Sequence, residues 1–465
     1  MTFLQCLQCN RKFELYPPKH QCPECGGLLE YELDYDKLKE VKFQGNFTFW
    51  RYKDALPPIR NFATLGEGGT PLHKAKRLAK NLNFQTIFLK DETRNPTNSF
   101  RDRTAALLVS NALDLKYKAV VCGTNGNLGA SLAAYCAKYG LICHIVIPKT
   151  VDMGKLAQMI IYDAVIEESG EIVDEAIERA EKLAKETGWY QATPELNPLT
   201  IEAQKTIAYE VAEQYGVPDW FIVSMGSGGT IYSVWKGFKE LHQLGKINSL
   251  PKMVGVQAEG CSPVVQAYNK EEKKKAEKFS TRALAILVKN PLQIDLALKA
   301  IKESKGNAIH VSDREIFQAE QEIAKLEGIF AEPASSATIA ALEKLKETRI
   351  LSGKESVVCL ITGSGLKTTD ILQTITKKRR TLISNVELTT KEKILGILEK
   401  EDSYGYKIWK KLGKIMTRPA IYQHLNELEQ RGLIISYSKD GRRFFKITER
   451  GRRVLRAIEE LKVLL

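Results

Sequence analysis

The stretch Trp220–Gly237 (WFIVSMGSGGTIYSVWKG) decides the fold because it joins an apolar strand, a glycine-rich turn and a helix. The pattern predicts the strand over Trp220–Met225 and the turn over Met225–Thr230, with the helix beginning near Ile231. Glycines in such a turn allow a ligand to approach the backbone, successive N–H groups point at it, and the helix N-terminus adds positive potential. This combination suits a bound phosphate, and a purely structural turn fits the same residues.

Short apolar runs alternate with helical patterns on both sides of this stretch. Strands are predicted at Thr86–Lys90, Ala119–Cys122, Cys143–Ile147, Ala164–Glu167, Phe221–Met225, Met253–Gln257 and Val357–Ile361. Helices are predicted at Arg103–Leu113, Leu128–Tyr139, Gly154–Tyr162, Val173–Thr187, Thr200–Tyr215 and Ile231–Leu244. This alternation predicts an α/β fold with parallel sheets covered on both faces. The charged run Asn269–Lys278 is expected to be a solvated surface segment.

The length and composition exclude several classes of protein. With 465 residues, 43% of them apolar, the chain is expected to form two or three folding units with a large core, which excludes a single small module and wholesale disorder. Its longest apolar runs, such as Leu141–Ile147, are shorter than the ~20 residues of a membrane helix. The N-terminus lacks the apolar stretch of a secretory signal, so we expect a cytoplasmic protein with reduced cysteines and no membrane partner.

The positive charge is concentrated in the last fifth of the chain. Residues 377–465 contain 22 Lys and Arg against 11 Asp and Glu, so they carry +11 of the total net charge of +13. A basic domain beside a nearly neutral body indicates a polyanionic partner, most simply double-stranded DNA. A basic face that only keeps the protein soluble is the alternative.

Four cysteines form two Cys-x2-Cys pairs near the N-terminus: Cys6, Cys9, Cys22 and Cys25. Each pair can present two thiolates to one ion, so the spacing predicts a tetrahedral structural zinc site in a zinc-ribbon-like segment. Four unrelated reduced cysteines are the simplest alternative. A catalytic zinc is disfavoured because four thiolates leave no open coordination position.

Several motifs in order resemble threonine synthase, a pyridoxal-phosphate enzyme of the tryptophan synthase β group, over residues 1–375, and the resemblance implies the two-subdomain parallel-sheet fold of that group. They are Gly66–Leu72 (GEGGTPL), Lys90–Arg103 (KDETRNPTNSFRDR), Gly123–Asn127 (GTNGN), the glycine turn, Glu332–Ser335 (EPAS) and Thr362–Gly365 (TGSG). The resemblance implies that the cofactor phosphate binds Gly226, Ser227, Gly228, Gly229 and Thr230. It also implies that Asn127 bonds the 3′-oxygen of the pyridine ring and that Thr362 or Ser364 faces the ring nitrogen. Ser99, Arg101, Thr124 and Asn125 would then meet a substrate or ligand.

The sequence departs from that family at the position of the reactive lysine. The family pattern is NPTGSFKDR, but Arg101 stands in place of the lysine and Asn98 in place of the glycine. A guanidinium remains charged and does not form the Schiff base with the cofactor aldehyde. We therefore expect no catalytic residue at position 101, non-covalent binding of pyridoxal phosphate at most, and a pocket in which Arg101 pairs with a carboxylate or phosphate. A domain that persists only as a scaffold is the alternative.

Residues 391–465 resemble the PadR-like winged-helix repressors. The predicted order is helices at Lys391–Lys400, Tyr404–Leu412 and Thr417–Arg431, strands at Leu433–Tyr437 and Arg443–Thr448 joined through Lys439-Asp440-Gly441, and a last helix. The third helix would expose Arg418, Tyr422, Gln423 and Asn426 to bases and phosphates, and Lys439, Arg442 and Arg443 would lie on the wing. Such domains also mediate protein contacts. An apolar stripe of Val454, Leu455, Ile458, Leu461 and Leu465 predicts a homodimer.

The sequence thus predicts four segments: a zinc-ribbon-like segment at 1–33, a threonine synthase-like domain at 34–375, a linker at 376–390 and a winged helix at 391–465. The favoured function is that of a transcriptional regulator whose degenerate catalytic domain senses a phosphorylated metabolite, an amino acid or pyridoxal phosphate. The alternatives are a pyridoxal-phosphate-dependent lyase with an ancillary winged helix and a pseudoenzyme that binds a protein partner.

Overall fold

The computed structural model describes residues 2–16, 18–271, 279–368, 390–413 and 416–464, with side chains described as far as residue 456 in the last helix. The chain forms two compact units, Met1–Asp370 and Ile371–Leu465. Most of the charged run 269–278 and nearly all of the predicted linker 376–390 lie outside the described residues. No helix of the described part is both long and apolar enough to cross a membrane.

The first unit alternates helices with strands. Its helices are α1 (Tyr35–Leu38), α2 (Lys76–Leu82), α3 (Arg101–Asp114), α4 (Asn127–Tyr139), α5 (Met153–Ile161), α6 (Val173–Thr187), α7 (Leu199–Gln214), α8 (Gly229–Gln243), α9 (Pro263–Asn269), α10 (Ile294–Glu303), α11 (Asp313–Glu327) and α12 (Pro333–Glu347). Its strands are β1 (Phe3–Cys6), β2 (Lys12–Phe13), β3 (Leu29–Glu32), β4 (Leu72–Lys74), β5 (Thr86–Asp91), β6 (Ala119–Gly123), β7 (Ile142–Ile147), β8 (Val165–Glu168), β9 (Tyr190–Gln191), β10 (Trp220–Ser224), β11 (Lys252–Ala258), β12 (Asn307–Val311) and β13 (Ser356–Ile361).

Two sheets form the body of this unit. One has the order β8-β7-β6-β9 with every neighbouring pair parallel. The other has the order β12-β11-β10-β13-β5-β4, in which only the edge strand β4 runs antiparallel to its neighbour. The predicted α/β fold with two parallel-sheet subdomains is confirmed.

The cysteine-rich N-terminus is a small antiparallel sheet in the order β2-β1-β3. It docks on α8, because Lys236 of that helix lies 2.9 Å from the Glu30 carboxylate and donates to the Tyr31 carbonyl at 2.7 Å. The hydroxyl of Tyr232, one turn earlier on α8, donates to Glu30 at 2.8 Å. The ribbon therefore packs against the helix that follows the glycine turn.

A buried ionic cluster ties β5, α3 and α7 together. Glu210 of α7 accepts bonds from Arg103 of α3 at 2.5 Å and from Lys90 of β5 at 2.6 Å, and all three side chains are fully buried. Arg103 also donates twice to Glu92, at 2.8 Å each. Burial by itself would raise the pKa of Glu210, but the charges of Arg103 and Lys90 lower it to about 2. The stabilisation from Glu210 is therefore fully present above pH 4.5, its ordinary pKa, and is lost as the pH falls towards 2.

The second unit has the winged-helix order. Its helices are α13 (390–400), α14 (Gly405–Lys411), α15 (Arg418–Gln430) and α16 (Glu449–Leu464), and its strands are β14 (Ser403–Tyr404), β15 (Ile434–Lys439) and β16 (Arg442–Ile447). The antiparallel sheet has the order β14-β16-β15. Lys439 pairs with Arg442, and Asp440 and Gly441 both have positive φ, at 50° and 70°. A two-residue turn of this kind matches the twist of the wing.

The apolar stripe of α16 is used within this unit. Leu455 is buried in the core formed by Ile394, Leu398, Ile408, Ile421, Leu425, Leu428 and Phe445. Val454 is half-buried, and the side chains of Ile458, Leu461 and Leu465 lie outside the described residues. Leu455 is therefore not available to a partner subunit, so the stripe supplies less support for a dimer than its spacing indicates.

The ionic cluster generates a prediction about stability. Glu210→Ala leaves the charges of Arg103 and Lys90 buried without their shared carboxylate, so we expect a loss of about 3–5 kcal/mol in the free energy of unfolding. Urea unfolding followed by tryptophan fluorescence measures this loss.

Glu213→Ala is the matched control, because Glu213 lies one turn further along α7 and pairs with Arg51 where both side chains remain partly accessible to water. We expect that change to cost less than about 1 kcal/mol. Equal losses for the two variants would contradict the role given to the cluster.

Candidate functional site

A cavity opens at the carboxyl ends of β6, β10 and β13, where the two parallel sheets face each other. Its lining comes from the start of α3, the turn between β6 and α4, the segment after β9, the glycine turn after β10, and the residues Glu332 and Thr362. Ligands of open parallel sheets bind at this end of the strands. The sequence motifs that precede and follow these strands are thereby brought to one place.

The glycine turn forms one wall of the cavity. Gly226, Ser227, Gly228, Gly229 and Thr230 all line it. Gly228 has φ of 105°, and a Cβ there would lie 2.7 Å from Cβ of Ala297, so the turn requires glycine. Among the described residues, none accepts a hydrogen bond from the N–H groups of Ser227, Gly228 or Gly229, and the buried Ser227 hydroxyl has no partner. The turn thus offers several free donors to an anion.

The opposite wall contains the predicted ring-binding residues. Asn127 donates from Nδ2 to both oxygens of Glu332 at 3.1 Å, whereas its buried Oδ1 has no partner among the described residues. Asn125 is held by bonds from its amide to the carbonyls of Leu284 and Ala285. Thr124 and Thr362 also line the cavity, and the Thr362 hydroxyl lies 2.8 Å from that of Ser335.

Two predicted site residues lie behind the cavity wall. The Ser99 hydroxyl accepts a bond from the N–H of Arg101 at 3.3 Å, and the Ser364 hydroxyl accepts one from Leu366 at 3.2 Å. Both serines are buried, and neither is among the residues that line the cavity. In this arrangement both hydroxyls support the backbone turns that shape the site.

Arg101 lies at the first position of α3 and lines the cavity. Its guanidinium stacks over the Phe100 ring, with 4.7 Å from Cζ to the ring centroid. No described carboxylate lies within 4.0 Å of it, and it donates no hydrogen bond to a described residue. Burial lowers the pKa of Arg101, and the negative charge of Glu195 acts in the opposite direction. The side chain is therefore a cation without an anionic partner among the described residues, at the position where the sequence predicts that arginine replaces the family lysine.

Asn98, which the sequence analysis expects in place of the family glycine, adopts a backbone conformation that glycine favours. Its φ is 63°, in the left-handed region that asparagine tolerates better than most residues. Its amide donates to the Thr93 carbonyl at 3.1 Å, and its own carbonyl accepts from the N–H of Ser364 at 3.0 Å. The substitution is consistent with an intact loop before α3.

Two buried lysines lie close to the cavity without lining it. Lys155 pairs with Asp152 at 2.6 Å and with Glu332 at 3.5 Å. Lys367 donates to the Thr97 carbonyl at 2.7 Å, and burial lowers its pKa to about 8. Sequence reasoning missed these lysines and the lining residue Glu195, because no spacing pattern connects them with the motifs.

The four N-terminal cysteines converge. Their sulfur atoms all lie within 4.8 Å of one another, with Cys6 and Cys25 at 3.5 Å and Cys9 and Cys22 at 3.7 Å. Zn–S bonds of about 2.3 Å place the sulfurs of a tetrahedral shell about 3.8 Å apart. The N–H groups of Gln8 and Cys9 point to the Cys6 sulfur, at 3.4 Å each. The arrangement fits a four-thiolate metal site.

All seven residues predicted to face DNA are exposed: Arg418, Tyr422, Gln423, Asn426, Lys439, Arg442 and Arg443. Arg418, at the start of α15, stacks between the rings of Tyr406 and Trp409, at 4.7 and 4.9 Å from their centroids. Arg442 lies over the Tyr404 ring, and Arg443 pairs with Glu429 at 2.6 Å. Several of these side chains are therefore held in place by neighbouring residues.

The comparisons with known proteins agree with this geometry. Residues 63–363 match the pyridoxal-phosphate dependent enzyme family, and residues 394–457 match the transcriptional regulator PadR-like family. The first match includes both parallel sheets and the glycine turn between β10 and α8. The chain belongs to the pyridoxal-phosphate dependent enzyme family and carries a PadR-like domain at its C-terminal end.

Its relatives include threonine synthases. The chain is 41% identical to that of Methanocaldococcus jannaschii over 379 residues, which cover 79% of this chain and 93% of the relative. It is 36% identical to that of Methanosarcina acetivorans over 405 residues, covering 85% and 99%. Maize serine racemase has a similar structure, with a TM-score of 0.57 at 21% identity over 67% of this chain and 92% of that chain. The last likeness shows the fold alone.

The unpartnered polar atoms test whether pyridoxal phosphate suits this cavity. The free donors of the glycine turn and the Ser227 hydroxyl suit its phosphate, and Asn127, with its unpartnered Oδ1, faces the same space. No lysine of the described residues lines the cavity. The residues present fit the phosphate and the ring of this cofactor.

The absence of a lysine amine at position 101 leads to a prediction about covalent binding of pyridoxal phosphate. Treatment of the protein with pyridoxal phosphate and borohydride should leave position 101 unmodified, whereas Arg101→Lys should yield a reduced adduct there, because a primary amine can attack the aldehyde. Peptide mapping by mass spectrometry reads the outcome.

Arg94→Lys is the control, since Arg94 is exposed in the preceding loop and adds an amine outside the cavity. An adduct on a buried lysine behind the cavity wall of the unchanged protein, such as Lys155 or Lys367, would contradict the expectation of non-covalent binding.

Proposed function

We propose that this protein is a DNA-binding transcriptional regulator whose threonine synthase-like domain senses a phosphorylated metabolite or pyridoxal phosphate. The observation that carries the proposal is the pairing of a complete anion-binding turn with Arg101 at the lysine position. The glycine turn can then still bind a phosphate, whereas Arg101 cannot form the Schiff base with the cofactor aldehyde. A metabolite-binding domain joined to a PadR-like domain is a simple design for a sensor.

The cavity supports the binding half of the proposal. The N–H groups of Ser227, Gly228 and Gly229 lack acceptors among the described residues, and the Arg101 guanidinium lacks a described anion. Donors placed in this way favour a ligand with a phosphate and a second anionic group, because bidentate guanidinium bonds to either group are strong. Inorganic anions alone would use only part of this donor set.

The exposed basic face of the second unit supports the DNA-binding half. Arg418, Gln423 and Asn426 lie on one helix, and Lys439 and Arg442 lie at the tip of the wing. In winged helices such a helix enters the major groove while the wing meets the phosphate backbone. The concentration of positive charge in this unit agrees with a polyanionic partner.

The alternative function is a pyridoxal-phosphate-dependent lyase, favoured by the 41% identity to a threonine synthase. When bound, pyridoxal phosphate supplies an electron sink for carbanions. The residues of this chain would hold its phosphate and ring, but a proton would have to be moved by a group other than Arg101, which stays charged. A homodimer and a cytoplasmic location remain predictions from the sequence.

The sensor function predicts coupling between ligand and DNA. With DNA selected by the protein from a random library, pyridoxal phosphate or phosphohomoserine should change the dissociation constant by about 5–150-fold, the usual range for coupled sites. Arg101→Ala should remove this response and leave DNA affinity unchanged. Fluorescence anisotropy of labelled DNA measures both quantities.

Arg418→Ala is the complementary control, because it should weaken DNA binding without altering ligand binding. If neither pyridoxal phosphate nor phosphohomoserine changes DNA affinity, the sensor function is wrong. Release of phosphate from phosphohomoserine by the purified protein would favour the lyase instead.

The cysteine cluster is proposed to hold one structural zinc ion. Protein purified without chelator should contain about one zinc per chain, and Cys9→Ser should lower that content because it removes one of four thiolates. Elemental analysis by mass spectrometry gives the ratio.

Cys261→Ser is the control, since that buried thiol donates to the Val288 carbonyl and lies outside the cluster. Zinc content near zero in the unchanged protein would refute the metal site.

A further inference from the structure

The sheet β14-β16-β15 of the second unit carries a row of three aromatic side chains, one on each strand. Phe444 of β16 pairs with Tyr437 of β15 on one side and with Tyr404 of β14 on the other. Paired residues of neighbouring strands share a face of the sheet, so the three rings lie side by side. The ring centroids of Tyr404 and Phe444 are 5.4 Å apart, and those of Tyr437 and Phe444 are 5.9 Å apart. We call these three side chains the aromatic row.

The aromatic row lies on the face of the sheet that is turned away from the core. Ser403 and Phe445, which alternate with it along their strands, are fully buried on the opposite face. In contrast, 37% of Tyr437 is exposed, as is 53% of Ile435 on the same face of β15. Contiguous apolar surface of this kind is uncommon in contact with water unless a partner binds to it.

Basic side chains flank the aromatic row on the same face. Lys439 and Arg442 lie beside it at the tip of the hairpin, and Lys446 lies on its other side. All three are exposed, and none of them lies within 4.0 Å of a carboxylate among the described residues. Arg443, which points to the opposite face, pairs instead with Glu429 at 2.6 Å. The cations beside the row are therefore available to an external anion.

Contacts at the edges of the row hold its rings in position. The Tyr437 hydroxyl donates to the Asp402 carboxylate at 2.8 Å, and the Arg442 guanidinium lies over the Tyr404 ring, 5.1 Å from its centroid. Side chains that are ordered in this way lose less conformational freedom when a ligand stacks on them. Aromatic pairs across strands also stabilise a sheet, but that role requires neither the exposure nor the flanking cations.

Exposed rings between cations match the chemistry of unpaired nucleic acid. A single strand presents the flat faces of its bases between negatively charged phosphates, whereas a duplex hides these faces by stacking. Proteins bind such strands with aromatic side chains that stack on the bases and with cations that follow the backbone. A sheet with a few exposed rings can hold about two or three bases.

We propose that the aromatic row binds unpaired bases of a DNA strand and that Lys439, Arg442 and Lys446 contact the phosphates of that strand. The inference goes beyond the proposed function, which needs only duplex DNA. Lys439 and Arg442 are also the wing residues assigned to duplex DNA, so the row adjoins that surface. This continuity favours a DNA strand over RNA or an acidic protein.

Two labelled strands of equal charge test the proposal by fluorescence anisotropy with the full-length protein. One is an oligothymidylate of about twelve nucleotides, and the other has the same length of abasic deoxyribose phosphate. Oligothymidylate should bind at least about tenfold more tightly, because only its bases can stack. Tyr437→Val should weaken its binding at least about fivefold and leave the abasic strand unaffected. Valine suits a strand, and Tyr437→Phe, which keeps the ring, should retain the affinity.

Tyr162→Val is the matched control, because Tyr162 is an equally exposed tyrosine of the first unit, and the change should alter neither affinity. Arg418→Ala should weaken the binding of duplex DNA and leave that of oligothymidylate unchanged. Tyr437→Val should show the reverse, and its unchanged duplex affinity also shows that the wing is folded.

Equal affinity for the two strands would overturn the proposal and leave a protein as the partner of the aromatic row. A preference for bases that survives in Tyr437→Val would overturn it as well, and tighter binding of oligouridylate than of oligothymidylate would assign the row to RNA instead. Duplex affinity and its response to a metabolite are measured separately. Failure here therefore leaves the proposed regulator intact, and failure of the metabolite response leaves the aromatic row intact.

Discussion

The buried guanidinium of Arg103 is the interaction on which the architecture of the site depends. It joins α3 to Glu92, next to the end of β5, and to Glu210 of α7, and Glu210 also holds Lys90. A charge removed from water in this way is tolerated only when nearly all of its hydrogen-bonding groups have partners. The cluster consequently fixes the start of α3 relative to two other elements. Arg101 lies two residues before Arg103, so the position of this cavity-lining cation follows from the fixed helix.

The second constraint is the meeting of two parallel sheets at their carboxyl ends. The turn after β6 supplies Asn127, and the turn after β10 supplies the free N–H groups of the glycine loop. Both belong to the N-terminal ends of helices, α4 and α8, where unpaired backbone donors are a property of the helix itself. Anion binding therefore needs little dedicated chemistry beyond glycines that permit close approach. The donors of the cavity therefore do not depend on which side chain stands at position 101.

Much of this arrangement could be predicted from the sequence, and the failures have physical causes. The strongly apolar strands, such as β6 and β13, were placed within a residue or two of their ends because they are buried on both faces. Strand β12 (NAIHV) was missed because its short run contains polar residues, and its strand pairing with β11 is a tertiary effect. The glycine turn and Asn127 lie at the cavity as their motifs indicate. Ser99 and Ser364 belong to two other motifs of the same set, but their hydroxyls bond to the backbone. A motif indicates which residues lie near a site and does not determine the direction of each hydroxyl. Glu195 carries no motif at all, and only the fold brings it there.

Arg101 and Arg103 show that residue type alone does not assign a role. The two arginines are separated by one residue on the same helix, so they point in different directions around its axis. Arg103 points into the body and is saturated by Glu92 and Glu210, which makes it a structural residue. Arg101 points into the cavity, where no described carboxylate is within 4.0 Å and Glu195 is left with a free oxygen. The interior of this unit therefore supplies carboxylates where a buried arginine is paired. Arg101 and the Oε2 of Glu195 lack such partners among the described residues, so the cavity contains a guanidinium and a carboxylate oxygen that the fold does not pair with each other.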